Sequence, residues 1–165
     1  MFNLFKSKKT TTEDTQPFVL TALCKGTVKD IQEVSDPAFQ SEALGKGVGI
    51  IASENELVSP ISGTVTVVFP TQHAFGITTK DGVEVLIHIG IDTVNLEGKG
   101  FTSSLQQGDT IQRNDPLCTV DFAYIKEQGY DGTIMVVISN TATFTKVQSH
   151  TGTLSPSDPI ITITK

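Results

Sequence analysis

Short β-type runs separated by glycine, proline, asparagine and aspartate recur along most of the chain, and this pattern restricts the fold more than any other feature. The runs are rich in valine, isoleucine and threonine, whose branched side chains favour extended backbone. Regularly spaced runs with turn residues between them are typical of a β-sandwich or barrel. We therefore predict an all-β fold, an antiparallel β-sandwich or barrel-sandwich hybrid. The predicted strands cover residues 26–31, 47–52, 56–59, 63–69, 74–79, 83–89, 110–111, 117–121, 133–138 and 160–164.

Two weaker patterns add detail to this prediction. One short helix is predicted at residues 122–128, because Asp121 can cap its first turn and Gly129 follows its last. Three short segments of similar sequence, each following a polar turn, suggest a duplicated β motif. They begin at Gly26, Gly63 and Gly152.

The length of 165 residues suits one domain with a sizeable core. Residues 1–16 are polar and mostly lack periodicity, so we predict a flexible N-terminal tail there and a folded domain over residues 17–165. Residues 1–9 combine phenylalanine and leucine with lysine, which permits weak contact with an anionic membrane surface. Their apolar part is too short for a signal peptide, and no later run could span a bilayer, so we expect a cytoplasmic protein.

The formal net charge of −6 at pH 7 restricts the possible partners. Nucleic-acid backbones are bound through clustered lysine and arginine, so an acidic domain argues against a nucleic-acid partner and favours a basic protein. The two cysteines, Cys24 and Cys118, are far apart in sequence and form no Cys-x-x-Cys motif. Neither a zinc site nor a dithiol redox site is indicated, and we predict two buried reduced thiols.

Two histidines are placed where neighbouring predicted strands should meet. The strands at residues 74–79 and 83–89 are joined by an Asp-Gly turn, so they should pair antiparallel. Alternation along the second strand places His88 on the face opposite to its valines and isoleucines. Because His73 immediately precedes the first strand, both imidazoles can meet on one sheet surface, with Asp92 four residues beyond His88. Such a pair suits metal binding, proton transfer or carriage of a phosphoryl group on nitrogen.

The runs His73-Ala74-Phe75 and His88-Ile89-Gly90-Ile91-Asp92-Thr93-Val94 carry a specific resemblance. With them, the chain resembles the glucose-type enzyme IIA of the bacterial sugar phosphotransferase system. The similarity extends from about Leu20 to the C-terminus. Further matching segments are residues 33–39, 45–50, 58–65, 96–101 and 136–140.

The resemblance implies a phosphocarrier that acts during sugar uptake, with an antiparallel β-sandwich fold. In this family, His88 would accept a phosphoryl group from the carrier protein HPr and pass it to a cysteine of enzyme IIB. His73 would donate a hydrogen bond to the phosphoryl oxygens, Thr71 would orient His73, and Asp92 would lie near His88. Neutral imidazole is a good nucleophile at physiological pH, which agrees with these roles.

The resemblance also implies partners and cofactors. The apolar residues Phe39, Phe69 and Leu86 match a surface that docks HPr and enzyme IIB, and we expect a monomer. We expect no tightly bound cofactor, only a transient phosphoryl group on His88. Zinc binding at His73 and His88 should be weak, because two imidazoles fill only half of a tetrahedral site.

Two other classes of protein remain as alternatives. A zinc-dependent hydrolase of a related β fold could use His73, His88 and Asp92, although such enzymes also need a His-x-His pair, which this sequence lacks. A lipoyl-type carrier is suggested by Gly108-Asp109-Thr110, but the attachment motif with a lysine between methionines is missing. The phosphocarrier interpretation explains more of the sequence than either alternative.

Overall fold

The computed structural model describes residues 14–165, which are mostly β-strand and contain few helices. The strands are β1 (Val19–Thr21), β2 (Gly26–Asp30), β3 (Lys46–Ala52), β4 (Glu56–Val58), β5 (Gly63–Val68), β6 (Ala74–Thr78), β7 (Glu84–Ile89), β8 (Phe101–Thr102), β9 (Thr110–Ile111), β10 (Pro116–Val120), β11 (Ile134–Ile138), β12 (Lys146–Ser149), β13 (Gly152–Leu154) and β14 (Pro159–Thr164). The α-helices are α1 (Pro37–Gln40) and α2 (Phe122–Glu127), and 3-10 turns lie at Ile31–Glu33, Thr93–Leu96 and Thr141–Thr143.

The described strands form three sheets in which every pairing is antiparallel. The largest sheet has eight strands in the order β13-β2-β3-β11-β7-β6-β5-β9. Two three-stranded sheets, β1-β14-β12 and β4-β10-β8, complete the β structure. The antiparallel all-β prediction is confirmed.

The main core packs the inner face of the large sheet against residues of the two smaller sheets. Phe75 and Ile87 from the large sheet are fully buried, as are Leu20 from β1 and Ile161 from β14. A separate, smaller cluster covers the outer face of β11. It contains Ile31, Val34, Phe39, Met135 and Val137, with Leu86 and Ile91 packed against it.

Strand β11 is therefore buried on both faces. All five of its residues are buried, because alternate side chains enter the main core and the outer cluster. His88 lies opposite Met135 in the register of β7 and β11. The outer cluster, which includes Met135 and Phe39, therefore lies next to His88.

Each predicted strand has a counterpart in the structure within one or two residues at each end. The predictions did not include β1, β8, β12 and β13, which are short or largely polar and therefore lack a clear alternation. The helix predicted at 122–128 is α2, and Asp121 caps it by accepting a 3.0 Å hydrogen bond from Tyr124 N. The expected single helix is corrected to two, because Asp36 caps the four-residue helix α1 and Pro37 begins it.

The glycines of β3 allow neighbouring backbone and side chains to pack closely against this strand. A Cβ at Gly47 would overlap the carbonyl oxygen of Val136 and lie 2.7 Å from Val137 Cα on the paired strand β11. A Cβ at Gly49 would lie 3.3 Å from Thr133 Cγ2. Gly26, Gly63 and Gly152 each begin a strand, and β13 pairs with β2. The duplicated β motif stays a prediction.

Arg113 holds the first described residues against the domain. Its guanidinium makes a 2.9 Å ion pair with Asp14 and donates hydrogen bonds to Gln16 O at 2.9 Å and to Pro60 O at 2.7 Å. Residues 14–16 of the predicted tail are therefore in contact with the fold, whereas residues 1–13, including the predicted membrane contact at 1–9, lie outside the described residues. Neither described helix has the length and hydropathy needed to cross a bilayer.

Candidate active site

The β6–β7 hairpin positions His88. Gly82 in its turn has φ +87°, a left-handed conformation that suits glycine, and Thr79 Oγ1 accepts a 3.0 Å hydrogen bond from Val83 N. Along β7 the buried residues alternate with exposed or half-buried ones, and His88 is half-buried on the outer face. His88 pairs with Ala74 across the hairpin. The predicted turn, pairing and facing of this segment are confirmed.

His73 lies beside His88, as the sequence predicted. The centroids of the two imidazole rings are 4.9 Å apart, and the ring planes meet at 83°. His73 is only 2% exposed, and its backbone carbonyl accepts a 2.7 Å hydrogen bond from Ile89 N. Thr71 Oγ1 lies 2.5 Å from His73 Nδ1, so Thr71 fixes the ring of His73 through a hydrogen bond.

The ring of His88 is oriented by a backbone carbonyl. His88 Nδ1 donates a 2.8 Å hydrogen bond to Gly90 O. A carbonyl oxygen only accepts, so neutral His88 carries its proton on Nδ1 and has a lone pair on Nε2. The second ring nitrogen, Nε2, is therefore the atom of neutral His88 with an available lone pair.

Burial keeps both histidines neutral near pH 7. It lowers the pKa of His73 from 6.5 to about 4, and the nearby His88 lowers the same pKa further. Burial also lowers the pKa of His88, while the hydrogen bond to Gly90 and the charges of Asp36 and Asp92 oppose this shift. Neutral rings supply a lone pair for nucleophilic attack and an N–H for hydrogen bonding.

The lowered pKa of His73 predicts a loss of stability in acid. The unfolded chain binds a proton on this residue below pH 6.5, whereas the folded chain does so only below about pH 4. The free energy of unfolding therefore falls steadily as pH drops from 6.5 to about 4, by on the order of 3 kcal/mol, and this contribution levels off at lower pH. Urea unfolding between pH 7 and pH 4 should show a smaller loss for His73→Gln than for wild type. Parallel pH profiles of the two proteins would contradict this assignment.

Two carboxylates lie near His88. Asp92 is exposed and has left-handed backbone with φ 60°, and its side chain does not cap the 3-10 turn that follows. Asp36, to which the sequence patterns assign no role, accepts a 2.9 Å hydrogen bond from Ala38 N through its side chain. The dipeptide Asp36-Pro37 was a recognisable helix start, but only the fold brings this charge near His88.

The three predicted docking residues differ in exposure. Phe69 is 40% exposed, and its ring centroid lies 5.3 Å from that of His73. Leu86 is half-buried on the same face of β7 as His88. Phe39 is only 3% exposed, and its ring lies 5.4 Å from that of His88. Phe39 therefore supports His88 from below and contributes almost no surface, which corrects the expectation that it forms part of an exposed face.

Among the described residues, the third histidine, His150, and the two cysteines make no hydrogen bond to the ring of His73 or His88. The ring of His150 makes a 2.7 Å hydrogen bond with Thr162 Oγ1. Cys24 and Cys118 are free and buried, as predicted. Burial raises their pKa values to about 12 and about 11, respectively. Phe101, which no sequence pattern singles out, lies near the pair, with its ring centroid 6.4 Å from that of His73.

The described part of the chain contains no group of three or more histidine, cysteine, aspartate or glutamate residues arranged to hold a metal ion. His73, His88 and Asp92 therefore do not form the three-ligand set that a catalytic zinc ion requires. The zinc-hydrolase alternative finds no support.

Comparisons with known proteins identify the family and the fold of this chain. A model of the family described as phosphoenolpyruvate-dependent sugar phosphotransferase system, EIIA 1, matches residues 18–144. The glucose permease IIA from Mycoplasma capricolum superimposes with a TM-score of 0.82 at 35% sequence identity, covering 87% of this chain and 93% of that chain.

Curated relatives are both stand-alone and multidomain proteins. The PTS system glucose-specific EIIA component of Halalkalibacterium halodurans is 37% identical, over 99% of this chain and 95% of the relative. The PTS system beta-glucoside-specific EIIBCA component of Bacillus subtilis is 48% identical over 71% of this chain, but the match covers only 19% of that relative. The chain thus spans about a fifth of the beta-glucoside-specific protein. The family match and these relatives show that the chain belongs to the EIIA 1 family of the phosphoenolpyruvate-dependent sugar phosphotransferase system.

Proposed function

We propose that this protein carries a phosphoryl group on His88 Nε2 during sugar uptake. The observation that supports it most directly is the 2.8 Å hydrogen bond from His88 Nδ1 to Gly90 O, which leaves the lone pair on Nε2. This nitrogen belongs to a half-buried ring next to His73, so an incoming group meets an imidazole donor at the site. Family membership supplies the reaction class.

The transfer consists of two displacements on phosphorus. The lone pair of His88 Nε2 forms an N–P bond while the N–P bond to the HPr histidine breaks, and the departing nitrogen keeps that bond's electron pair. In the second step, a cysteine thiolate of enzyme IIB forms an S–P bond, and the His88 N–P bond breaks with its electrons returning to Nε2. Positioning and electrostatic stabilisation contribute most of the catalysis in such transfers.

His73 and Thr71 stabilise the transferring group. When the Thr71 hydroxyl donates to His73 Nδ1, the proton of the neutral ring lies on Nε2 and is available to a phosphoryl oxygen. The nearly complete burial of His73 strengthens this hydrogen bond, because few water molecules compete for it. Asp92 acts at the rim, where its charge favours a basic partner.

The direct test is phosphorylation of the purified protein. Incubation with phosphoenolpyruvate, enzyme I and HPr should add the mass of one phosphate, and the modification should be labile in acid. Omission of HPr is the control and should prevent the mass change. An unchanged mass in the complete mixture would overturn the proposal.

Replacing His73 with glutamine should separate the two half-reactions. Glutamine still donates a hydrogen bond, so acceptance from phospho-HPr should persist, whereas transfer to enzyme IIB should slow by roughly tenfold because the donor is no longer fixed by Thr71. Rapid-quench measurement of each step tests this expectation. Thr71→Ser keeps the hydroxyl and should retain both steps. Equal loss of both steps in His73→Gln would assign another role to His73.

The partners dock on the exposed apolar surface beside the histidines. Phe69 is 40% exposed next to His73, and Val94, which follows Asp92 by two residues, is 49% exposed. Acidic Asp36 and Asp92 act electrostatically on the same site. An apolar centre with acidic residues around it fits partners with basic residues around an apolar contact. Leu86 lies at the buried edge of this surface.

Replacing Phe69 with aspartate should weaken the binding of phospho-HPr more than it slows the phosphoryl transfer step. The variant places an unpaired charge in the contact, so KM for phospho-HPr should rise roughly tenfold or more, with a smaller change in the saturating rate. The control is Ile51→Asp, since Ile51 is 52% exposed on β3. That variant should leave KM unchanged. Similar KM values for both variants would place the docking surface elsewhere.

Further proposals concern the oligomeric state, location, metal binding and partners of the protein. We propose that the protein acts as a monomer in the cytoplasm, that residues 1–9 make weak contact with the membrane surface, and that it binds no intrinsic metal. His73 and His88 supply only two imidazoles, so zinc should bind weakly and be removed by dialysis against a chelator. HPr and the IIB domain of a sugar permease are the proposed donor and acceptor.

A further inference from the structure

The carbonyl group that orients His88 belongs to a peptide unit just beyond the end of β7. Gly90 has φ +83°, and its carbonyl oxygen accepts the 2.8 Å hydrogen bond from His88 Nδ1. A peptide unit is planar, so rotation of this unit would move the acceptor away from the ring. The position of His88 therefore depends on what holds the peptide between Gly90 and Ile91.

The segment before β11 holds this peptide at its other end. Ile91 N, which belongs to the same planar unit as the Gly90 carbonyl, donates a 2.9 Å hydrogen bond to Asp131 O. Gly90 N, in the preceding unit, donates a 2.9 Å hydrogen bond to Thr133 O. The carbonyls of Asp131 and Thr133 thus fix two consecutive peptide units. The unit between Gly90 and Ile91 is held at both ends, because its N–H bonds to Asp131 and its C=O bonds to His88.

A side-chain bridge keeps these two carbonyls in place. Asp131 Oδ1 accepts hydrogen bonds from Thr133 N at 2.8 Å and from Thr133 Oγ1 at 2.6 Å. Thr133 is 5% exposed, so its hydroxyl gains little from water and depends on this partner. The bridge closes a turn over Gly132 and sets the distance between the carbonyl groups of Asp131 and Thr133.

Gly90 has little space in which to move. A Cβ on Gly90 would lie 3.1 Å from Asp131 O and would overlap Thr93 Cγ2. The Thr93 hydroxyl donates to Ile89 O and holds the residue that follows His88. The peptide segment is therefore enclosed by the 131–133 turn on one side and by Thr93 on the other.

We infer that Asp131 and Thr133 are positioning residues for His88, because their side-chain bridge holds the Gly90 peptide that fixes the Nδ1 proton. This inference rests on the proposed role of His88 as phosphoryl carrier. The carboxylates whose charges act on His88 are Asp36 and Asp92. Asp131 instead holds the backbone of the 131–133 turn in place. It does so because its Oδ1 atom accepts the hydrogen bonds from Thr133.

The variants Asp131→Ala and Asp131→Asn separate the acceptor from the charge. Alanine removes the acceptor, whereas asparagine keeps an Oδ1 acceptor and removes only the charge. Nitrogen-15 chemical shifts of the His88 ring report which nitrogen carries the proton. We expect wild type and Asp131→Asn to hold the proton on Nδ1, and Asp131→Ala to show a mixture of tautomers. The rate of acceptance from phospho-HPr should fall roughly tenfold to a hundredfold in Asp131→Ala alone.

Thr133→Val provides a second, milder variant that keeps the backbone bonds and removes only the hydroxyl contact. It should shift the tautomer mixture in the same direction and by less. A wild-type tautomer and rate in both Asp131→Ala and Thr133→Val would overturn the inference, as would equal defects in Asp131→Ala and Asp131→Asn. If wild-type protein accepts no phosphoryl group, the proposed function fails, while the ring shifts still decide whether Asp131 positions His88.

Discussion

The His88→Ala variant is expected to lose phosphoryl acceptance completely. The substitution removes the Nε2 lone pair that the hydrogen bond to Gly90 O leaves available. His73 cannot replace it in this position, because the ring is only 2% exposed and its Nδ1 is engaged by Thr71. Mass spectrometry after incubation with phosphoenolpyruvate, enzyme I and HPr should show no added phosphate.

His150→Ala is the matched control for this prediction. It removes the same kind of side chain from a residue whose ring bonds to Thr162. We expect His150→Ala to accept one phosphate, as wild type does. Acid-labile phosphate retained by His88→Ala would show that another side chain carries the group. His88 is half-buried on the outer face, so its truncation should leave the fold intact.

The Gly47→Ala variant is expected to show the largest loss of stability among the substitutions considered. The added methyl group would overlap the carbonyl oxygen of Val136 and lie 2.7 Å from Val137 Cα, both in the backbone of β11. Backbone atoms of a buried central strand cannot move aside without breaking strand pairing on both sides. We expect the free energy of unfolding to fall by about 3 kcal/mol or more, measured by urea denaturation.

Gly82→Ala serves as the control for this clash. Gly82 has φ +87°, and a Cβ there would have no atom within 4 Å, so this variant reports backbone strain without overlap. The free energy of unfolding of this variant should fall by about 1–2 kcal/mol. A loss at Gly47 equal to or smaller than that at Gly82 would show that β3 and β11 can separate at little cost. The Gly47→Ala variant should also weaken the pairing of β7, because β7 pairs with the other edge of β11.

Local sequence patterns were sufficient to predict the central hairpin of the site. The alternation along residues 83–89 placed His88 opposite the core, and the Asp-Gly turn fixed the antiparallel register with β6. These features were predictable because a strand has a two-residue period and its turn is encoded by neighbouring residues. The resemblance then supplied expected roles for Thr71 and Asp92, which alternation alone does not provide.

The sequence by itself therefore determined the all-β class, the strand face on which His88 lies and the membership of the chain in a phosphocarrier family. Only the tertiary structure decided that Phe39 lies beneath His88 instead of on the surface, that Asp36 acts on the same ring, and that the turn at 131–133 holds the Gly90 peptide. These contacts join segments that are distant in sequence. An alternating pattern tells which side chains leave the main core, but not which segment covers them, because that depends on how the whole chain packs.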